Sequence, residues 1–174
     1  MHDTPARYGS VSRWLHWGMA ILILWQFLKI GDRISDGEHW IGQTLVPWHI
    51  SIGALLLVLA VVRVLWILKQ SGQRPPLGGP TAPLARLGHI LLYLVMLLLP
   101  ITGILLMAGN GYGLQVFGMQ IIAQSESEIG WMATLGSLHS PLALLFVVLV
   151  IGHAAAALYH HFVVRDDTMK RMLG

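Results

Sequence analysis

Histidine is unusually frequent in this chain of 174 residues, which has nine histidines beside eight acidic and eleven basic residues. An ionisable side chain within an apolar segment is costly and is usually kept for a function. Imidazole binds metals and exchanges protons near neutral pH. Seven histidines lie in or beside long apolar stretches: His16, His49, His89, His139, His153, His160 and His161.

The spacing of three of these histidines indicates what chemistry they could support. His139 and His153 are fourteen residues apart in one apolar stretch, and His160 follows seven residues later. In a helix, fourteen residues return to within about 40° of the same face and rise about 21 Å. One helix would therefore offer imidazoles at two depths. Haem b needs an apolar slot between helices and two axial side chains, and imidazole suits iron.

The overall composition indicates a membrane protein. Hydrophobic residues make up 55% of the chain and charged residues 11%, against roughly a quarter charged in soluble domains. The mean hydropathy is +0.66 and the pI is about 9.6. These values exclude a disordered chain and disfavour nucleic acid as a partner. The chain has no cysteine, which excludes disulfides, cysteine-ligated clusters and covalent haem attachment.

Four apolar segments are long enough to cross a bilayer, which takes about 20 residues. They lie at about 11–28, 45–68, 84–108 and 138–164. The sequence therefore predicts an all-α integral membrane four-helix bundle, with residues 1–174 forming one domain. In the long connection 109–137 we expect a turn at its start and a short interfacial helix within 125–135.

The basic residues predict the orientation of this bundle. Nine of the eleven lysines and arginines fall on the side that carries both termini, and only Lys29 and Arg33 fall on the other. Because cytoplasmic loops carry the excess of lysine and arginine, both termini are predicted to be cytoplasmic. The first apolar segment is expected to be a retained helix rather than a cleaved signal peptide.

Depth in the bilayer suggests how the histidines pair. His49 and His139 begin the second and fourth segments at the outer side, so they could bind one haem from its two faces. His16 and His153 lie in the inner halves of the first and fourth segments and could bind a second haem. His89 competes for the inner position. The prediction is two b-type haems, with iron held by four imidazoles.

The chain resembles the bacterial cytochrome b-561 family over residues 8–173. Four stretches carry the resemblance: 13–17 (RWLHW), 49–53 (HISIG), 88–89 (GH) and 153–161 (HAAAALYHH). The resemblance implies a two-haem protein of the bacterial inner membrane, with the inner haem on His16 and His153 and the outer haem on His49 and His139. A characterised member oxidises superoxide outside and reduces ubiquinone inside. The resemblance implies the same two partners and a superoxide:quinone oxidoreductase activity.

Two further residues are predicted to act at the inner haem. Arg63 follows His49 by fourteen residues and lies at the inner depth, where it could pair with a haem propionate or extend to lipid phosphate. His160 shares the face of His153 at the inner interface, where a quinone headgroup would enter. We predict that it binds the quinone and donates a proton, with His89 and Ser10 or Ser12 completing the pocket. The alternative is that His160 and His161 face lipid headgroups.

The two outer bases could act on the encounter with superoxide. Both axial positions of the outer haem would be filled by histidine, so no residue is predicted to act in bond-making catalysis. Lys29 and Arg33 could attract a small anion towards the haem edge, or they could simply be solvated.

Two other functions fit parts of the sequence. One is a non-catalytic electron-relay or anchor subunit for a dehydrogenase or hydrogenase. The other is a histidine-lined transporter of metal or protons, which the scarcity of carboxylates in the apolar segments disfavours.

Overall fold

Four long helices form the body of the protein, each close to a predicted segment. The structure, a computed structural model, describes residues 2–34 and 39–174. The long helices are α1 (Ser10–Ile34), α3 (His49–Lys69), α4 (Ala82–Gly109) and α6 (His139–Tyr159). The shorter elements are α2 (Trp40–Thr44), α5 (Gly130–Gly136), α7 (Lys170–Leu173) and the antiparallel strands β1 (Leu114–Val116) and β2 (Met119–Ile122).

The helix boundaries depart from the prediction at three places. Helix α1 continues beyond residue 28 to Ile34. Helix α3 begins four residues late, because Pro47 lacks an N–H and Val46–Trp48 forms a 3₁₀ turn instead. The fourth predicted segment ends in a π-helical turn, His160–Val164, after which Arg165 has a left-handed backbone with φ of 59°.

The outer surface of the bundle is apolar. Among the described residues, three segments are long and apolar enough to span a membrane: Trp40–Lys69, Ala82–Gly109 and Gly130–Val164. Helix α1 has 25 residues but is not among them, and His16, Gln26 and Lys29 make it more polar. Large apolar side chains such as Val148 remain 66% exposed. An apolar surface this extensive is suited to lipid rather than water.

A narrow core holds the four helices together. Helix α1 packs against α3, α3 against α4, and α4 against α6. Phe27 of α1 meets Phe146 of α6 with ring centroids 6.2 Å apart, which brings the first and last long helices into contact. The buried core residues come from all four: Met19, Ile52, Leu56, Ala60, Val95, Met96 and Phe146.

Both chain ends lie at the same end of the bundle, called here the terminus end. The N–H of Tyr8 donates to the Arg171 carbonyl at 3.2 Å, and Arg13 Nη1 donates to the Leu173 carbonyl at 3.0 Å. Trp17 Nε1 donates to the Met172 carbonyl at 3.2 Å. The C-terminal helix α7 is thereby fixed against the start of α1.

The opposite end, called here the hairpin end, is covered by α5 and the two strands. Helix α5 lies so close to α4 that a Cβ added at Gly109 or Gly136 would overlap main-chain atoms. The strands are joined by Phe117 and Gly118, with φ of 49° and 82°. Phe117 N–H donates to Ser51 Oγ at 2.9 Å, which fixes the hairpin to α3. The short helix expected within 125–135 is found as α5, whereas the hairpin was not predicted.

A buried carboxylate organises the terminus end. Asp3 is 3% exposed and accepts hydrogen bonds from Gly9 N at 2.7 Å and Ser12 Oγ at 2.9 Å. Arg74 Nε makes an ion-pair contact with Asp3 Oδ2 at 3.3 Å. Asp3 N–H donates to Gln70 Oε1 at 3.1 Å. This Asp3 network ties residues 2–9 to α1 and to the connection after α3.

Replacing Asp3 should destabilise the fold, because Asp3→Ala leaves Arg74 and the donors from Gly9 and Ser12 without their buried acceptor. We expect the free energy of unfolding to fall by about 3 kcal/mol. Thermal unfolding of the purified protein in detergent, followed by tryptophan fluorescence, would measure this loss as a lower Tm.

The matched control is Asp167→Ala. Asp167 pairs with Lys170 at 2.9 Å on the surface, with both side chains about two-thirds exposed, and such pairs contribute little. Equal Tm values for the two variants would contradict the importance of the Asp3 network.

Candidate haem sites

The first candidate site lies at the hairpin end, between the first residues of two helices. His49 begins α3 and His139 begins α6. Their ring centroids are 6.1 Å apart. Two metal–imidazole bonds of about 2 Å plus roughly 1 Å from ring nitrogen to centroid on each side give a separation of about 6 Å. The observed spacing fits two axial ligands of one iron.

The hydrogen bonds of His139 are compatible with a metal-binding imidazole. His139 Nδ1 lies 2.9 Å from the Leu99 carbonyl, which can only accept. The proton is therefore on Nδ1 and the lone pair on Nε2, an arrangement common among metal-binding histidines. Thr102 Oγ1 donates to the same carbonyl at 2.8 Å. On the other helix, His49 Nδ1 is buried with no hydrogen-bond partner within residues 2–34 and 39–174.

A cavity of about 690 Å³ connects these two histidines. That volume lies within the range of ligand pockets. Its lining is mainly apolar and comes from all four long helices, with Lys29 as its charged residue in the described part of the chain. At Gly103 an added Cβ would lie 3.1 Å from His139 Cε1. The cavity is therefore an apolar slot between two imidazoles, and at Gly103 it has no room for a larger side chain. Such a slot fits haem b.

The second candidate site lies nearer the terminus end and contains three imidazoles. His16 of α1 and His153 of α6 have ring centroids 6.1 Å apart. His89 of α4 is closer to His153, at 5.5 Å. The first of these separations matches the pair at the hairpin end and the value of about 6 Å for two axial ligands. The roles of His16 and His153 as ligands, and of His89 as a competitor, stay predictions.

Arg63 lies among these imidazoles and not at the lipid surface. Its Nη2 is 3.0 Å from His16 Nδ1, and its guanidinium lies over the Tyr93 ring at 5.4 Å. Because arginine can only donate, His16 Nδ1 must accept here. For iron to bind Nε2 of His16, Nδ1 would have to carry the proton and Arg63 would have to turn away. That movement would release its guanidinium for the predicted propionate.

Two of the residues predicted to bind quinone, His160 and Ser12, each contact an aspartate. His160 Nδ1 lies 2.6 Å from Asp166 Oδ2, whereas His161 contacts Phe162, with ring centroids 4.8 Å apart. Ser12 donates to Asp3 and accepts from Trp66 Nε1 at 3.0 Å, so its hydroxyl is engaged in the Asp3 network. Hydrogen bonds to the Asp166 carboxylate lower its pKa to about 2. The largest contribution comes from the Thr168 N–H and the next from the His160 ring.

Of the two bases predicted for the outer side, only one can be placed in the structure. Lys29 lines the cavity between His49 and His139. The side chain of Arg33 lies outside the described residues.

Several residues at these sites were missed by sequence reasoning. Asp166 lies five residues after the second histidine of a pair. Only one feature of the sequence could have pointed to its role: aspartate often accepts a hydrogen bond from the main-chain N–H two residues later, here that of Thr168. Thr102 had no signal, because a threonine in an apolar helix usually bonds its own helix. The Tyr93 ring contacts Arg63, and Arg74 contacts the Tyr8 ring. Both pairings depend on the packing of distant segments, which the sequence does not show.

A model of the prokaryotic cytochrome b561 family matches residues 7–174. The chain belongs to this family. Its members are oxidoreductases of bacterial membranes that bind haem b and transfer electrons. The assignment agrees with the resemblance found in the sequence and with two candidate haem sites in a helical bundle.

Three curated relatives match nearly the whole chain. Cytochrome b561 homolog 2 of Escherichia coli K12 is 37% identical, covering 99% of this chain and 94% of the relative. Cytochrome b561 homolog 1 of the same organism is 33% identical, covering 96% and 97%. A Yersinia pestis protein named Probable superoxide oxidase CybB is 29% identical, covering 96% of each. The similarity therefore extends over the entire bundle.

Substituting Gly103 should disturb the hairpin-end site selectively. The methyl group of Gly103→Ala would lie 3.1 to 3.2 Å from two atoms of the His139 ring, so the imidazole must shift. We expect loss of most haem from this site while the other is retained, measured as haem per chain and as a changed optical spectrum.

Gly130→Ala in α5 is the control, because among the described residues no heavy atom lies within 4 Å of a Cβ added there. Full haem content in both variants would show that Gly103 does not shape the site.

Proposed function

We propose that this protein is a two-haem electron-transfer enzyme whose single membrane domain extends over residues 1–174. One observation carries the proposal: two histidine pairs with the same ring separation of 6.1 Å lie towards opposite ends of one bundle. In this proposal His49 and His139 bind one haem b, and His16 and His153 bind the other. Haem b, when bound, supplies one-electron redox chemistry.

The proposed reaction carries electrons from superoxide to ubiquinone. Two superoxide anions lose one electron each and become dioxygen, and one quinone takes up two electrons and two protons to become a quinol. The name of the Yersinia pestis relative supports superoxide as the donor. The distribution of lysine and arginine supports an inner-membrane orientation with the terminus end in the cytoplasm, so superoxide would react at the hairpin end and quinone at the terminus end.

The chain's own residues take separate roles in this proposal. At the hairpin end, His49 and His139 would hold the haem iron between them, so superoxide would give up its electron without binding iron. Lys29 lines that cavity and, with Arg33, attracts the anion. At the terminus end, Arg63 pairs with propionate, and His160 binds the quinone and donates a proton, with His89 beside the site.

A second candidate function is an electron-relay or anchor subunit for a dehydrogenase or hydrogenase. Exposed apolar side chains at the hairpin end favour this function. They are those of Met119, Ile121 and Trp131, which are 62%, 58% and 60% exposed. Such residues could contact a partner or the lipid headgroup region. Purification of the chain together with a second subunit, and inactivity of the isolated chain towards superoxide, would favour this function.

The histidine assignment predicts the haem content of three variants. We expect about two haems per chain in the wild type by pyridine haemochrome assay, since two pairs of ligands are present. His139→Ala should lose the hairpin-end haem and His153→Ala the other, giving two different optical spectra. His161→Ala should keep both haems. One haem in the wild type, or identical spectra for the first two variants, would refute the pairing.

The proposed role of Lys29 predicts a salt-dependent rate. The Debye length falls from about 10 Å at 0.1 M salt to about 3 Å at 1 M, so electrostatic attraction of superoxide should weaken. Pulse radiolysis should show haem reduction by superoxide slowing as ionic strength rises, and the slope should be smaller in Lys29→Gln.

Lys69→Gln is the control, since this lysine ends α3 at the terminus end. If Lys29→Gln kept the wild-type slope, Lys29 would have no part in the encounter. If superoxide did not reduce the protein at all, the relay function would replace the enzymatic one.

A further inference from the structure

The π-helical turn that follows α6 brings an aspartate back against a histidine. Residues His160–Val164 form a π-helical turn, and Arg165 takes the left-handed conformation with φ of 59°. This conformation is unfavourable for a residue other than glycine. It reverses the chain, so that Asp166 N–H donates to the His160 carbonyl at 3.3 Å. The side chain of Asp166 then lies beside the ring that it follows by six residues.

The hydrogen bonds of Asp166 define the protonation of the imidazole. Asp166 Oδ2 is 2.6 Å from His160 Nδ1, and Asp166 Oδ1 accepts the Thr168 N–H at 2.9 Å. The pKa of Asp166 is held at about 2, first by the Thr168 N–H and then by His160, so the group is a carboxylate at neutral pH. A carboxylate only accepts hydrogen bonds, and His160 Nδ1 must therefore carry a proton. Nε2 is left as the nitrogen that can gain and lose one.

The neighbouring aspartate shows that this contact is not an ordinary surface pair. Asp167 contacts Lys170 at 2.9 Å, with side chains 64% and 65% exposed. The His160 side chain is only 27% exposed and that of Asp166 37%. Two adjacent aspartates therefore have different surroundings, and only Asp166 faces the histidine proposed to act on the quinone.

We propose that Asp166 is a positioning residue that holds the proton on His160 Nδ1, so that Nε2 is the nitrogen that passes protons to the quinone. The inference rests on the proposed function. Each quinone needs two electrons, which arrive from the donor through the protein, and two protons. His160 gives one proton from Nε2, keeps the Nδ1 proton towards Asp166, and is reprotonated at Nε2 from water. Repeating the transfer supplies the second proton.

The test compares variants of the full-length, haem-loaded protein in detergent. The first readout is ¹⁵N NMR of histidine-labelled protein, with the His160 signals identified by their loss in His160→Gln. We expect a single tautomer with the proton on Nδ1 in the wild type and in Asp167→Ala. Asp166→Ala should show a mixture of tautomers, while Asp166→Asn, which keeps an acceptor oxygen, should restore the Nδ1 tautomer.

The second readout is reoxidation of the reduced protein by a soluble short-chain ubiquinone analogue. The rate is measured over a range of quinone concentrations, which gives the kcat and the KM for the quinone. Losing a group that orients a functional imidazole typically costs about 10-fold or more. We therefore expect Asp166→Ala to lower kcat about tenfold, with KM within about twofold of the wild-type value. Asp166→Asn should recover most of the rate, and Asp167→Ala should match the wild type. Haem content equal to that of the wild type in each variant shows that the fold is intact.

The outcomes separate this inference from the proposed function. A wild type that reduces the quinone, with Asp166→Ala unchanged in rate or in tautomer, would overturn the role of Asp166 and leave quinone reduction in place. A wild type that does not reduce the quinone would overturn the proposed function and this role with it.

Discussion

The separation of two histidines on α6 is the constraint on which the architecture depends. His139 and His153 are fourteen residues apart on one helix, so their depths differ by about 21 Å while their faces nearly coincide. In the proposed function each needs an imidazole partner from another helix at its own depth. Helix α3 meets the first requirement because it begins with His49 at the hairpin end, and α1 meets the second because His16 lies near its start at the terminus end.

The order within the bundle is maintained at its ends as well as along its centre. The core is narrow, and long apolar side chains such as Val148 face outward, where lipid and not protein would cover them. At the terminus end the Asp3 network ties the N-terminal residues to α1 and to the connection after α3. At the hairpin end α5 packs directly against α4, at Gly109 of α4 and at its own Gly136. These contacts fix the helix termini, and hence the histidines that lie within a turn or two of them.

The sequence predicted the parts of the structure that follow from the length of its apolar segments and from the positions of histidines within them. The four helices came from the length of apolar runs, and the proximity of His49 to His139 and of His16 to His153 followed from depth alone. The Asp3 network could not be foreseen, because residues 2–9 resemble an ordinary polar terminus and their partners come from distant segments. Gln70, for example, is 67 residues from Asp3.

Local irregularities explain the remaining misses. The hairpin turns through Phe117 with a positive φ, which no sequence rule assigns to phenylalanine, and its contacts with Ser51 and Trp48 offset the cost. Asp166 reaches His160 because the helix ends in a π turn and Arg165 then reverses the chain with a positive φ. Both features depend on backbone conformations that an apolar or charged pattern does not encode.

The two candidate haem sites differ in a way that bears on the direction of electron flow. At the hairpin end, the Leu99 carbonyl accepts a hydrogen bond from His139 Nδ1, which would make the imidazole a stronger donor to a bound iron and would favour the oxidised state of that iron. At the terminus end, the Arg63 cation lies among the histidines. Turned from His16 towards a propionate, it would stay beside a bound haem, where its positive charge would favour the state with the extra electron. Both effects lower the energy of an electron at the terminus end relative to the hairpin end. That is the direction required if superoxide gives electrons at one end and quinone receives them at the other.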